Sequence, residues 1–389
     1  MLETPTALPA LLPEAGIAPL QLHCLQNAPG RAAWEQLSHG LSRPGLFCSW
    51  PWVETWLRHY GAAVPHEFVA GKIGEEIVGI TLLTRSHRST GPISVRGLHM
   101  GTAGERDEDS VFVEYNRLLV PPAHHSAFAA ALMQMATARR GWDSLHLDGM
   151  TTTELEPFLS ARPGAELRSV PDYWFDLQTV RDAKSDVLTW LGSNTRRSVR
   201  QALKATGEVT LDWAETPAEA ESIFADLVRL HQARWQSVGK PGCYASRPFL
   251  EFHQDVIARL LPEGKVALTR VRQGERVLGC VQLFIDRNRL MFYQTGSERS
   301  ETKASLGLLT DYLSMQAGLE RGYDAYDFLA GDTIHKQKLS TDCQPMIWAT
   351  WRRPRWKFAA IDFLRSVKHR YESWRKPAQE LADVDAGGK

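Results

Sequence analysis

The sequence predicts an α+β fold made twice over, two tandem copies that are each a mixed, mostly antiparallel sheet flanked by helices. Three observations carry this. First, GEEIVG at 74–79 is echoed by GERVLG at 274–279, and RGWDSLHL at 140–147 by RGYDAYDF at 321–328, in the same order. Second, both Gly-Glu dipeptides lie between runs of alternating apolar residues, the pattern of a β-hairpin. Third, the second hairpin leads into another turn, a stretch with helical spacing and a further alternating run. The interval from Gly74 to Arg140 exceeds that from Gly274 to Arg321, so the first copy carries an insertion of about 19 residues.

Residues 1–15, with prolines at 5, 9 and 13, read as a flexible leader, and the first copy spans 16–178. In it, SWPWVETWLRHYG at 49–61 predicts a helix, EFVAGKI and IVGITLL predict hairpin strands, and DSLHLDGM predicts a strand. The run YWFDLQTV gives way to RDAKSD, which puts the second copy at 179–352. There, PAEAESIFADLVRLHQARWQSVG and RPFLEFHQDVIARLL read as helices, and three antiparallel strands run from about 265 to 296 with turns at Gly274-Glu275 and Asp286-Arg287-Asn288. Leu306, Leu309 and Leu313 recur at helical spacing over 303–321, Gly322 ends that helix, and DAYDFLAG alternates as a strand. The tryptophans and methionines on these helices read as core. Residues 353–389 read as a basic amphipathic helix and tail.

Composition narrows the function. Basic and acidic residues balance at 45 each, which argues against nucleic acid as the main partner. The five cysteines form no Cys-x-x-Cys pair, and His124-His125 has no third ligand at useful spacing, so no metal is predicted. A reducing cytoplasm is the simpler setting. The first residues lack the basic and unbroken apolar segments of a secretory signal, and no run of about 18 apolar residues exists to span a bilayer. Residues 352–376 carry nine Lys/Arg against Asp362 and Glu372, with Trp356, Phe363 and Val367 on one stripe. They read either as peripheral contact with an anionic inner membrane or as a helix folded across the domain seam.

Four pieces in order, NTRRSVRQALKATG at 194–207, GERVLGCVQLF at 274–284, the stretch from Phe292 to Asp332, and HKQKL at 335–339, carry a family likeness. Segment 190–351 resembles the acyltransferase domain of CelD-type proteins of cellulose and exopolysaccharide biosynthesis. That branch of the GNAT superfamily is related to the FemAB-type peptidyl transferases. The resemblance implies tandem GNAT-like folds, acyl-coenzyme A as donor, and an amine or hydroxyl as acceptor. It implies that the thioester lies where two strands splay apart, with its pyrophosphate over the start of the next helix. At the matching positions stand Gln294, Thr295, Lys303, Ser305, Leu306 and Gly307. Free N–H groups at a helix start favour phosphate, Lys303 adds charge, Ser305 can cap, and Gly307 permits close approach. The loop departs from the alternating glycines of the usual GNAT phosphate signature.

No nucleophile elbow or Cys/His pattern occurs, so direct transfer is expected. Asp332 and Lys336, one helical turn apart after the last alternating strand, are the candidate catalytic or acceptor-orienting pair, with Asp327 beside them. The competing structural roles are an N-cap for Asp332, a solvated pair for Lys336, and a solvent or arginine contact for Asp327. Arg196 and Arg200, with Lys204, form a helical stripe able to grip an anionic acceptor, and His231 and Trp235 at i, i+4 are candidates to line the acceptor site. In the first copy a helix opening with Pro121-Pro122 implies a lost donor site, and acidic residues Glu105–Asp109 and Glu114 either face the second copy's cleft and select a basic acceptor or are solvated.

Three functions remain at this stage. One is an acyl-coenzyme A-dependent N- or O-acyltransferase acting on a small-molecule or envelope-polysaccharide precursor. The others are an aminoacyl-tRNA-dependent transferase of FemAB type and a non-catalytic scaffold subunit of a polysaccharide-secretion system.

Overall fold

In the computed structural model the described residues are 19–41, 45–299, 305–364, 366 and 367. The leader read at 1–15, Lys303 and the tail beyond 367 lie outside them. Along the first copy run β1 (Gln21–Leu25), α1 (Arg31–His39), α2 (Trp50–Tyr60), β2 (His66–Ile73), β3 (Glu76–Thr90), β4 (Ile93–Met100), α3 (Pro122–Ala138), β5 (Ser144–Thr151), α4 (Thr152–Ala161) and β6 (Glu166–Asp176). The second copy continues with α5 (Leu177–Asp182), α6 (Val187–Trp190), α7 (Ser193–Thr206), β7 (Thr210–Trp213), α8 (Pro217–Gln236) and α9 (Arg247–Leu260). It ends with β8 (Val266–Gln273), β9 (Arg276–Asp286), β10 (Arg289–Ser297), α10 (Leu306–Glu320), β11 (Ala325–Ala330), α11 (Ile334–Leu339) and β12 (Asp342–Arg352).

These strands join in one sheet ordered β1-β2-β3-β4-β5-β12-β6-β11-β10-β9-β8-β7. Only β4–β5 and β10–β11 run parallel, so the sheet is mixed and mostly antiparallel, as the sequence predicts. The repeated hairpins are present, and Gly74 (φ 62) and Gly274 (φ 57) supply the left-handed residue each turn needs. At the third turn Arg287 (φ 52) and Asn288 (φ 59) are both left-handed.

The last strand of each copy leaves its own half. β6 pairs with β11 of the second copy, β12 pairs with β5 of the first, and the two exchanged strands pair with each other over nine positions from Asp342↔Trp174 to Thr350↔Glu166. The centre of the sheet is therefore built from both copies, and the boundary read at 178/179 follows the chain rather than the sheet.

Helices α2 and α9, one from each copy, pack together on one face. Phe47, Trp52, Phe252, Phe284 and Tyr293 interlock there with ring centroids 4.8 Å (Phe47–Trp52), 5.0 Å (Trp52–Phe252) and 4.8 Å (Phe284–Tyr293) apart. Arg58 and His59 of α2 reach Asp255 of α9 at 3.1 and 3.2 Å, and Arg259 pairs with Glu54. Helix α8 starts from a capping box of Thr216 and Glu219 with Pro217 in its first turn, and crosses β10 at Gly296. A Cβ at Gly296 would lie 2.7 Å from the His231 amide nitrogen, so only glycine lets the helix settle that close.

Because β12 separates β5 from β6, neither copy can close its sheet alone. Fragments 1–178 and 179–389 produced separately are expected to lack a cooperative thermal transition. Co-expressed, they should co-purify and regain it; independent cooperative melting of either fragment would contradict the exchange.

Candidate functional site

The pairing of β10 with β11 stops after Arg289↔Ala325, Leu290↔Tyr326 and Met291↔Asp327, although β10 runs on to Ser297. The register with β9 slips between Phe292 and Gln294, a β-bulge at Tyr293. Beyond Met291 the edge of β10 facing β11 therefore has backbone N–H and C=O groups with no strand partner, beside a gap. On the α10 side of this gap stand Tyr326, Asp311 and His335. Tyr326 Oη and Asp311 Oδ1 are buried without a hydrogen-bond partner among the described residues, and Asp311 Oδ2 meets His335 Nε2 at 2.6 Å. The Asp311 contact favours the imidazolium and raises the His335 pKa above its ordinary value, while burial raises that of Asp311.

The start of α10 lies over the end of β10: a Cβ on Gly307 would be 3.3 Å from Ser297 Oγ. Ser305 is the N-cap and accepts from the Leu308 amide at 3.3 Å, and Leu306 is buried against β8 and β9 through Val271 and Leu278. Gln294 sits opposite Gln282, and Thr295 donates to the Cys280 carbonyl at 3.2 Å. On α8, His231 Nε2 accepts from Trp235 Nε1 at 2.9 Å, so these two meet, and burial lowers the His231 pKa. Arg196 donates to the Thr189 carbonyl at 3.2 Å, and Arg200 is exposed on the outer face of α7. The Cys243 thiol near His231 is pushed up to about 12 by burial, which disfavours a thiolate nucleophile.

Asp332 and Lys336 do not meet. Asp332 is exposed and bonds Gln337 Nε2 at 2.6 Å, while the N-cap of α11 is Thr333. Lys336 turns inward instead, its Nζ donating to the Leu329 carbonyl at 3.0 Å and the Ala330 carbonyl at 2.8 Å. Asp327 is fully buried rather than solvated. Its Oδ2 lies 2.9 Å from Arg289 Nη2 and accepts from Tyr115 Oη at 2.7 Å, and its Oδ1 accepts from the Leu329 amide at 2.9 Å.

Tyr115 and its neighbour Glu114 come from the first copy, in a loop that supplies most of the insertion seen in the repeat. In the second copy only 298–305 separate the fourth strand from the helix, whereas residues 101–121 fill that interval in the first. Part of this longer loop occupies the gap beside β5. The Asn116 amide donates to the Gly149 carbonyl at 2.9 Å, and a Cβ on Gly149 would strike the Val113 carbonyl oxygen at 2.4 Å. The first copy's counterpart of the β10–β11 gap is thus plugged.

The plug carries Glu114 across the seam, where its Oε2 accepts from the Ala330 amide at 2.7 Å, beside Lys336. Burial lifts the Glu114 pKa to about 7 against the pull of that amide and of Lys336. Burial lowers the Lys336 pKa, opposed by Glu114, Asp172 and Asp327. The other acids of the loop hold it in place: Glu105 accepts from the Val111 amide at 2.9 Å and also bonds Trp56, and Asp109 accepts from Ser246 Oγ at 2.6 Å.

Tyr115 Oη also lies 2.5 Å from Asp172 Oδ2 on β6, and Gln344 on β12 donates to that oxygen at 3.0 Å. A phenol has one proton, so it cannot donate to two carboxylates at once. Burial, then the nearby Asp327 carboxylate, push Asp172 up to about 8, so at neutral pH Asp172 carries the second proton and donates to Tyr115, which donates to Asp327.

Sequence reading placed Asp327, Lys336, Gln294, Ser305 and Gly307 around the gap and offered the second copy's cleft as one place for Glu114, where it lies, but missed Asp311, Tyr326 and His335, Arg289 and Asp172. Two signals were present: an aspartate in the middle of the leucine-patterned α10, and an insertion confined to the copy with no helix-start donor pattern. Among the described residues no group of three or more His, Cys, Asp or Glu is placed to hold a metal.

Residues 193–337, a little over a third of the chain, match the family model described as an acetyltransferase (GNAT) domain, which supports acyltransferase activity. No curated protein matches it. Among solved structures it is similar to FemX, with a TM-score of 0.53 and 12% identity over 83% of this chain and 96% of that one. L-PGS from Bacillus licheniformis gives 0.50 and 10% over 89% and 98%. At such identities the likeness is one of fold.

The protonated Asp172 has a consequence for stability. Its folded pKa of about 8 exceeds the roughly 4 of an unfolded aspartate, so its contribution is full below pH 4 and is lost as pH rises towards 8. Asp172→Asn should flatten the fall in melting temperature between pH 5 and 8, and an unchanged pH profile would remove Asp172 as its source.

Proposed function

We propose that this acyltransferase takes acyl-coenzyme A in the gap between β10 and β11 and passes the acyl group directly to an amine or hydroxyl. The acceptor class implied by the CelD-like resemblance is a small-molecule or envelope-polysaccharide precursor, in a cytoplasmic setting. The observation that carries the reading is the parting of β10 and β11 after three paired residues. It leaves backbone groups able to bond the donor's amide-bearing arm as an added strand would. The buried and unpartnered Tyr326 Oη and Asp311 Oδ1 fit a polar guest there. The capped start of α10, with Gly307 beside Ser297, offers amides to a diphosphate.

The donor supplies the activated acyl carbon. Glu114, with its pKa near neutrality, accepts the proton released as the acceptor nitrogen or oxygen bonds to that carbon. His335, kept charged by Asp311, returns a proton to the departing sulfur as the carbon–sulfur bond breaks. Lys336 fixes the Leu329–Ala330 carbonyls and so the amide that orients Glu114.

An aminoacyl-tRNA donor is the second reading. It is favoured by the outer face of α7, where Arg197, Arg200 and Lys204 are exposed and make no ion pair among the described residues, a stripe suited to backbone phosphates.

A thermal-shift comparison separates the readings, because a ligand that binds only the folded state raises the melting temperature. Acetyl-coenzyme A should do so under the first, and charged tRNA under the second. Gly307→Trp should abolish the coenzyme response without lowering the ligand-free melting temperature by more than a few degrees. A preserved response would displace the phosphate from α10. In a transfer assay, kcat/KM should be bell-shaped in pH; Glu114→Gln should remove the acidic limb and His335→Asn the alkaline one, each lowering the rate roughly 10²–10⁴-fold.

A further inference from the structure

Apart from the donor gap, the first copy holds a cavity of about 680 Å³, within the range of small-molecule sites. It opens on the sheet face opposite α3. Leu98, Leu145 and Leu147 pack with Phe128, Leu132 and Met133 of α3, so the intervening His99, His146 and Asp148 point the other way, into the cavity. The floor is a cross-strand polar ladder. Ser86 Oγ meets His99 Nε2 at 2.8 Å, His99 stacks on His146 at 4.6 Å, His146 Nδ1 meets Thr350 Oγ1 at 3.2 Å, and Asp148 meets His99 Nδ1 at 3.4 Å. Gly97 makes the ladder possible, since a Cβ there would lie 2.4 Å from Ser86 Oγ and 2.7 Å from His99 Nε2. Burial, then His99, hold the His146 pKa down to about 4, whereas the contact with His99 outweighs burial at Asp148 and keeps its carboxyl below the ordinary value, so the floor carries a neutral imidazole beside a carboxylate.

Three arginines line the cavity, and two are neutralised: Arg88 by Asp107 at 2.8 Å, and Arg352 by Glu166 at 3.1 Å and Asp362 at 3.0 Å. Arg168 makes no ion pair among the described residues. It stacks on its cross-strand neighbour Trp348 at 4.3 Å, which fixes the plane of the guanidinium, and its charge acts on Glu114 and Asp148 of the same cavity without an ion pair to either. The wall opposite belongs to the plug. Phe112 and Glu114 line the cavity, yet the Phe112 carbonyl accepts from Tyr293 Oη at 3.3 Å, at the bulge of β10, and Glu114 holds the end of β11. The cavity and the donor gap thus share one wall.

We propose that this cavity is the acceptor site, and that it selects a hydroxyl-bearing acceptor with one phosphate or carboxylate, the anionic group on Arg168 and the nucleophile towards Glu114. The proposal rests on the transferase reading above and adds the acceptor's class and place. The two copies then divide the work, the first holding the acceptor and the second the donor.

Isothermal titration with glucosamine 6-phosphate, glucuronate and uncharged glucosamine tests it. At least one charged sugar should bind about tenfold or more tightly than glucosamine, as expected for a charge-assisted bidentate contact, and the better one identifies the oxyanion. Arg168→Gln should erase that preference, Arg168→Lys should keep part of it, and Arg247→Gln at the exposed start of α9 should leave it intact. Equal binding of charged and neutral sugars, no binding of any of the three, or a preference that survives Arg168→Gln overturns the proposal. Acetyl-coenzyme A titrated into the same proteins keeps the two readings apart. It should bind wild type and Arg168→Gln alike, and its failure to bind wild type would count against the donor gap while the sugar preference still decides the cavity.

Discussion

Two carboxylates, Asp172 and Asp327, are buried on neighbouring strands that come from different copies, and both reach the same tyrosine hydroxyl. Two bare negative charges at that separation in a low-dielectric interior would repel strongly, and only a shared proton and the adjacent Arg289 make the arrangement tenable. The remaining hydrogen bonds of the knot come from Gln344 and the Leu329 amide, so β6, β10, β11, β12 and the long loop of the first copy all converge on it. Tyr115 (φ 53) and Leu329 (φ 59) hold left-handed backbone conformations there, each a strain of about 1–3 kcal/mol that the surrounding bonds must offset. The strain falls where the chain has to turn Glu114 and Ala330 towards one another. Fold and site meet at this point.

The duplication shows how one architecture is put to two uses. Both copies have a fourth and fifth strand that pair over only three residues, which is the opening a donor needs. In the second copy the connection to the next helix is short, and the opening stays edged by unpaired backbone of β10. In the first copy the longer connection folds back beside β5, packs on Gly149, and presents its carboxylate to the neighbour. A plug that destroys one opening thereby furnishes the other with a proton acceptor.

Much of this was legible in the residues. The hairpins were marked by repeated Gly-Glu pairs whose glycines need a left-handed φ, the β9–β10 turn by Asp-Arg-Asn, and α10 by its leucine spacing and the Gly322 stop, because these features depend on local backbone chemistry. The exchange of β6 and β12 was not legible, since pairing partners about 170 residues apart leave no local trace. For the same reason Asp332 and Lys336 looked like a pair: helical spacing brings residues four apart together on a regular surface, but the carbonyls of Leu329 and Ala330 offered Lys336 a buried alternative that Asp332 could not match. Asp311–His335 and Asp172–Tyr115 are likewise meetings of distant segments, for which composition offers no spacing rule.

The exchanged strands also order events during synthesis. Residues 144–176 can leave the ribosome with their helices formed, yet the slot between β5 and β6 stays open until 342–352 have been translated, almost at the far end of the described chain. For that interval two long strand edges are unpaired, a condition that invites pairing with other nascent chains. A fold of this kind closes late and all at once, and its folding yield in the cell is set by how quickly the last strand follows the first copy.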